Sequence, residues 1–248
     1  MRNRAIVFLL IVAAAAGGYL AMRVDAATTA EVSIYREETL VTTYYPGPGE
    51  ETTAIKSWVK GPKMRTDAAE GADVTIVRPD LNLVYVINTK RRVYSESPLA
   101  VYQQAGRLTM TMLATDPAFQ WTGRKKKIAA WSCREVVMAE ETGANGDRIK
   151  TIWWVTKDPV LTVRLLRHLM TISFGDAIDE LATRFYDKLD NVGGFPVQTE
   201  TEATHGDKSL RRVQTLRKLE RREIPDSTFE LPPNLTKITV PLPPGFGG

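Results

Sequence analysis

This chain is poor in the residues that most chemistry needs. It has one cysteine, Cys133, and two histidines, His168 and His205, in 248 residues. A lone cysteine excludes an internal disulfide. With only two histidines beside it, the donor set is too small for a structural zinc site, and nothing calls for a metal or a cofactor. Cys133 lies in Ile128-Ala129-Ala130-Trp131-Ser132-Cys133, next to apolar residues, so a buried, inert thiol is expected. No GxSxG, HExxH or phosphate-binding glycine loop occurs. His168 falls in Arg164-Leu165-Leu166-Arg167-His168-Leu169 and His205 in Thr204-His205-Gly206-Asp207, neither beside a nucleophile motif. A catalytic triad would have to be assembled in space. Gly143-Ala144-Asn145-Gly146-Asp147 has too few carboxylates for a calcium loop and reads as a turn.

Charge of one sign is also scarce. The net charge is +4 at pH 7, and Arg2, Arg4, Arg23 and Asp25 supply +2 of it. So mild an excess gives no support for a nucleic-acid partner. Long apolar runs are missing except at the start, where Arg2 and Arg4 precede Ala5 to Met22, followed by Val24-Asp25-Ala26. A basic start, an apolar middle and small residues at the end form a secretory signal, with cleavage expected after Ala26. No cysteine stands there to carry a lipid. The alternative is an uncleaved inner-membrane anchor, since the run is near the ~18–20 residues a spanning helix needs. Either way the body of the chain is expected outside the cytoplasm, periplasmic or secreted.

What remains is ordinary for a globular protein, 43% hydrophobic and 25% charged. The expected layout is a signal at 1–26, one domain at 27–238 and a proline- and glycine-rich tail at 239–248. Alternation and turn residues predict strands at 29–44, 51–66 with a break at Gly61-Pro62, 74–78, 83–88 and 92–96. Spacings of three and four at Leu99, Tyr102, Ala105, Leu108 and Met112 predict a helix over 97–115. Strands follow at 120–128, 131–139 and 148–156. The stretch 158–188 reads as helical, with a stripe at Ile178, Leu181, Ala182, Phe185 and Tyr186 and a break at Gly175. Strands return at 195–204 and 208–220. Pro225 to Pro244 is expected as an irregular arm against the sheet. The pattern fits an antiparallel sheet with helices on one face.

Aromatic and basic clusters are the remaining signals. Trp153 and Trp154 are neighbours on one strand, so they face opposite sides of the sheet. Met110 and Met112 suit either core filling or a movable cover over an apolar cavity. Basic groups stand at Lys90-Arg91-Arg92, Arg124 to Lys127, and Arg211 to Arg222. They are either solvated edges that deter strand pairing or contacts for anionic headgroups.

The segment order, with Ser57-Trp58-Val59-Lys60-Gly61-Pro62-Lys63-Met64-Arg65 and the hairpin-like Asp73 to Asn88, resembles the periplasmic lipoprotein carriers (LolA/LolB-like proteins). A closer likeness is to an uncharacterised family of secreted bacterial proteins with that fold. It rests on Lys63 to Arg65, Tyr94-Ser95-Glu96, Lys125 to Cys133, Gly194-Phe195-Pro196-Val197 and Ile224 to Pro232. The resemblance implies an α+β fold, an incomplete, strongly curved antiparallel β-barrel with helices plugging an apolar concave face that accepts acyl chains. Two departures stand out. Gly61 replaces the basic residue that the carriers often place before the proline, and no helix precedes the first strand. The ligand-contacting residues expected on the cavity and its lid are Trp58, Leu99, Tyr102, Leu108, Met112 and Trp154.

The expectation is therefore a non-enzymatic envelope protein that binds a lipid or acyl chain, or a lipidated or envelope protein, with passing contact to an anionic membrane surface. The rival is a structural or interaction module with a filled core. If residues 1–26 are a signal, N-terminal sequencing of exported protein should begin at Ala27. Protein held in the inner membrane with Met1 intact would identify an anchor instead.

Overall fold

The computed structural model describes residues 32–47, 49–104, 119–142, 148–158, 160–174, 191–192 and 194–240. Twelve strands form one sheet, in the order β12-β6-β5-β4-β3-β2-β1-β11-β10-β9-β8-β7. The chain makes two meanders. The first holds β1 (Ser33–Tyr45), β2 (Gly49–Lys60), β3 (Lys63–Ala68), β4 (Asp73–Arg78), β5 (Leu83–Asn88) and β6 (Val93–Pro98). The second holds β7 (Gln120–Ile128), β8 (Trp131–Thr142), β9 (Arg148–Thr156), β10 (Phe195–His205) and β11 (Lys208–Arg221). They join where β1 pairs antiparallel with β11, from Ile34↔Arg221 to Tyr45↔Ser209. A bulge between Glu37 and Glu38 leaves Arg217 as the extra residue. The result is mostly β, one large curved sheet that does not close.

The sequence therefore overstates the helical share among the described residues. The helix expected from 97 begins two residues later, because β6 runs on through Pro98, and its described part is 99–104, α1. Leu108, Met112 and the rest of that segment lie outside the described residues, as do the 178–186 stripe, Gly175 and the 143–147 loop. The second helix, α2, spans Val163–Phe174. The break expected inside the second strand is a hairpin turn: β2 and β3 pair antiparallel around Gly61-Pro62, with Lys60 opposite Lys63.

Register sorts the first meander into two faces. One row reads Ile34, Val59, Met64, Val77 and Val84 from β1 to β5. These residues are buried in one cluster with Leu165, Leu166, Leu169, Met170 and Ile172 of α2. The opposite face carries Trp58, Ile76, Tyr85, Val74, Ile87 and Tyr94, and its cover is the C-terminal arm. From Ile224 onward the arm lies over β3 to β6 as a strap. Ile224 and Phe229 are fully buried. Arg65 and Arg78 donate to the carbonyls of Thr228 and Phe229 at 3.3 and 3.1 Å. Asp226 accepts from Lys60 and Lys63 at 3.0 and 3.2 Å. The strap ends as β12 (Thr236–Lys237), which pairs parallel with β6 and covers that edge.

Gly194 shows why the chain needs a glycine where it enters β10. A Cβ there would lie 2.5 Å from the carbonyl oxygen of Thr156 and 2.5 Å from Cγ1 of Val155, closer than any side chain tolerates. Phe229 is the strap's anchor. Phe229→Ala should cost about 3–5 kcal/mol of stability, the usual loss for a buried aromatic, and lower the urea midpoint. A midpoint that does not move would show that the strap is an ornament rather than a second core.

Candidate functional site

The face under α2 changes character along the strands. Its first row is apolar from Ile34 to Val84. Two residues on, the same face reads Arg36, Ser57, Thr66 and Thr75 on adjacent strands. Ser57 is fully buried and its Oγ lies 3.3 Å from Oγ1 of Thr66. Arg36 is 6% exposed, and its Nε lies 3.4 Å from Oε2 of Glu38. Gln214 of β11 donates to the other oxygen of Glu38 at 3.2 Å. Buried charges persist only when paired or hydrogen-bonded. An apolar row under α2 thus borders a row of polar side chains on the same face.

One polar bond ties α2 to the sheet. His168 is 3% exposed, and its Nε2 lies 2.8 Å from the Gly61 carbonyl in the β2–β3 turn. The carbonyl can only accept, so Nε2 carries the proton. Nδ1 is buried and has no hydrogen-bond partner among the described residues. Burial lowers the His168 pKa below the usual histidine value, opposed in part by the Gly61 carbonyl. The ring is therefore neutral at pH 7. Farther along α2, Ser173 hydrogen-bonds Tyr102 of α1, whose burial pushes the phenol up to about 12. Both helices thus approach the same apolar cluster, which includes Leu99 and has Tyr102 packed against it.

Of the six expected contact residues, Leu108 and Met112 lie outside the described residues, Leu99, Tyr102 and Trp154 share the apolar cluster with α2, and Trp58 does not. Leu99 and Tyr102 belong to the α2 face. Trp58 is on the opposite face with the strap, tilted against Tyr35 at 5.3 Å and under the Arg65 guanidinium at 5.7 Å. Trp153 and Trp154 are both buried. Trp154 lies between cations, with Lys126 Nζ 3.8 Å and the Arg124 guanidinium 5.8 Å from its ring. Its indole donates to Glu200 at 2.9 Å. Burial alone would raise the Glu200 pKa. The bonds from Trp154, Lys126 and Arg211 outweigh it and hold the carboxyl below its ordinary value. Glu135, almost fully buried, is held by Arg124 and by Thr122 Oγ1 at 2.5 Å. Cys133 is buried as expected, and burial raises its thiol pKa. Among the described residues no group of three or more His, Cys, Asp or Glu could hold a metal.

The polar belt and the His168 tie are the features that sequence reasoning missed. Arg36, Ser57, Thr66 and Thr75 sit in strands whose alternation looks the same for a solvated face. The only available signal was the register itself, which brings all four into one row.

The described residues thus form one unclosed, almost wholly antiparallel sheet, with α2 packed on one face and a strap on the other. The chain belongs to the family described as Domain of unknown function (DUF4412), whose model matches residues 45–235. No curated protein matches the chain. Three solved structures overlay parts of it with low scores. PNGF-II is 13% identical over 84% of this chain, with a TM-score of 0.34, and the match spans 31% of that longer chain. A DUF1329 family protein from Desulfovibrio piger is 9% identical, covering 90% of this chain and 97% of that one, with a TM-score of 0.31. A domain described as that of an outer membrane lipoprotein-sorting protein, from Vibrio parahaemolyticus, is 11% identical, covering 83% and 93%, with a TM-score of 0.24.

The His168 tie gives a pH dependence of known sign. The folded pKa lies below the unfolded value of ~6.5, so the unfolded state binds more protons as the solution is acidified. Stability from this site is complete above that value and is lost as pH falls through the folded pKa. Between pH 7.5 and 5.5 the urea midpoint of the wild type should drop. His168→Gln, which keeps a donor but does not titrate, should drop less. Equal drops in both proteins would assign the effect elsewhere.

Proposed function

We propose that this chain is an exported, non-enzymatic binding protein that takes a lipid, or another hydrophobic ligand, on the apolar face beneath α2. The observation that carries this reading is the amphipathic step on that face. The Ile34–Val84 row offers hydrocarbon contact, and the Arg36–Thr75 row two residues away offers polar partners. An acyl chain gains ~0.8 kcal/mol for each CH₂ it buries, so no chemistry is needed for tight binding. Its headgroup would meet the belt of Arg36, Ser57 and Thr66.

Entry requires α2 to lift from the sheet. A helix held mainly by apolar contacts, with a buried hydrogen bond from His168 to Gly61, can open locally without global unfolding. The basic, apolar and small-residue order of residues 1–26 supports export, and among the described residues no helix is long and apolar enough to cross a membrane. The rival, an envelope interaction module with a filled core, draws on the fully enclosed Val59, Val77, Leu169 and Met170.

Native mass spectrometry decides between them. Protein purified after export, or mixed with a long-chain fatty acid or phospholipid, should carry a lipid mass adduct. His168→Gln should keep that adduct. Protein that stays bare under every loading condition would remove the ligand reading and leave the interaction module.

A further inference from the structure

The registers place the strand ends. The β7–β8 turn, the exit of β9, the entry of β10, the β2–β3 turn and the β4–β5 turn all lie at one end of the sheet. The turn carrying Lys90, Arg91 and Arg92 lies at the other end. At the first end the charges of β7 divide by face. Arg124 and Lys126 are matched, by Glu135 and by Glu200. Lys125 and Lys127, which alternate with them, are exposed with no carboxylate partner among the described residues.

Their neighbours have the same character. Arg134, opposite Lys125 across the β7–β8 pair, is exposed with its guanidinium over the Trp121 ring at 4.6 Å. Val155, the next partner in that row, is two residues before Lys157. Lys157 and Arg164 are exposed on either side of the turn that leads into α2. Strands lie ~4.8 Å apart, so Lys125 and Arg134 are neighbours on adjacent strands, and Lys157 follows β9, one strand farther on, at the same end. The acid among them, Asp158, is turned inward, accepting from the backbone N–H groups of Val160 and Leu161 at 2.8 and 3.2 Å. At the tip of the same turn Val160 is 37% exposed.

We infer that this end, Lys125, Lys127, Arg134, Lys157 and Arg164 around Val160, docks the protein on the surface of an anionic lipid bilayer. Clustered cations are drawn to anionic headgroups at short range. Val160 supplies the apolar contact that a salt-screened patch would lack. The orientation also matters, since the docked end is the root of α2, and the helix that must lift for ligand transfer would stand at the headgroup layer. The inference rests on the binding reading only for that last step. Docking needs no ligand, so the two fail separately.

Vesicle flotation tests it with the full mature chain. Vesicles of phosphatidylcholine plus phosphatidylglycerol should float the protein, and vesicles of phosphatidylcholine alone should not. Added salt should release it. The variant Lys125→Glu with Lys127→Glu should weaken binding by about tenfold or more. The charge-matched variant Lys90→Glu with Arg91→Glu, at the far end, should bind as the wild type does. Val160→Ser should weaken binding with no change in net charge. Circular dichroism and the urea midpoint confirm that each variant is folded. Equal losses in the near-end and far-end variants would reduce the effect to net charge and overturn the site. So would equal flotation on neutral vesicles, or no flotation of the wild type at low salt. Native mass spectra of the near-end variant with lipid still bound would show that the ligand site is intact when docking is lost.

Discussion

A sheet with apolar side chains on both faces has to be covered twice. That constraint organises the first half of this structure. The Ile34–Val84 row needs α2, and the Ile76–Ile87 face needs the strap. The two covers differ in kind. The strap is fixed at many points, by Phe229 in the core, by arginines on its carbonyls and by a short parallel strand. Among the described contacts, α2 is held by apolar packing and by a buried hydrogen bond from His168, with Ser173 bonded to Tyr102. Apolar contact is non-directional, whereas the strap's directional bonds must all be remade together. The two covers are thus secured in different ways.

The electrostatics follow the same division. On β7 to β11 the buried carboxylate of Glu135 is paired with Arg124, and the half-buried Glu200 is paired with Lys126 and Arg211 and accepts from the Trp154 indole. Such a network, fully satisfied, fixes side-chain positions in a way that hydrocarbon packing alone does not. It also consumes the charge of Arg124 and Lys126. The run Arg124 to Lys127 is thus two different objects, a structural pair and an exposed pair, interleaved by the twofold period of the strand. The free edge of the sheet is consequently basic and bulged between Trp121 and Lys125, which discourages edge-to-edge association.

Most of the strand layout was legible in the sequence, since turn residues separate runs such as Leu83 to Asn88 and Arg148 to Thr156 from their neighbours. The arm was legible too as far as it is described, to residue 240, because prolines exclude it from a sheet interior. Gly61-Pro62 was misread as an interruption, since a two-residue turn and a break in one strand look alike without a pairing partner. The site was less accessible. Arg36 and Ser57 are 21 positions apart in the chain and adjacent only through register. Trp58 was grouped with Leu99 as an apolar cavity residue, yet Trp58 packs on the strap side of the sheet and Leu99 in the cluster with α2.

The meeting of β1 with β11 has a consequence in time. The centre of the sheet joins the first described strand to the last long one, with roughly 170 residues between the partners Tyr44 and Leu210 and more between Ile34 and Arg221. A growing chain cannot complete this pair until nearly all of it has emerged. Each meander can form its local hairpins early, but the first lacks both its inner edge partner and its strap until the C-terminal region arrives. The topology thus reserves the cooperative closure of the sheet for the moment when the C-terminal region becomes available.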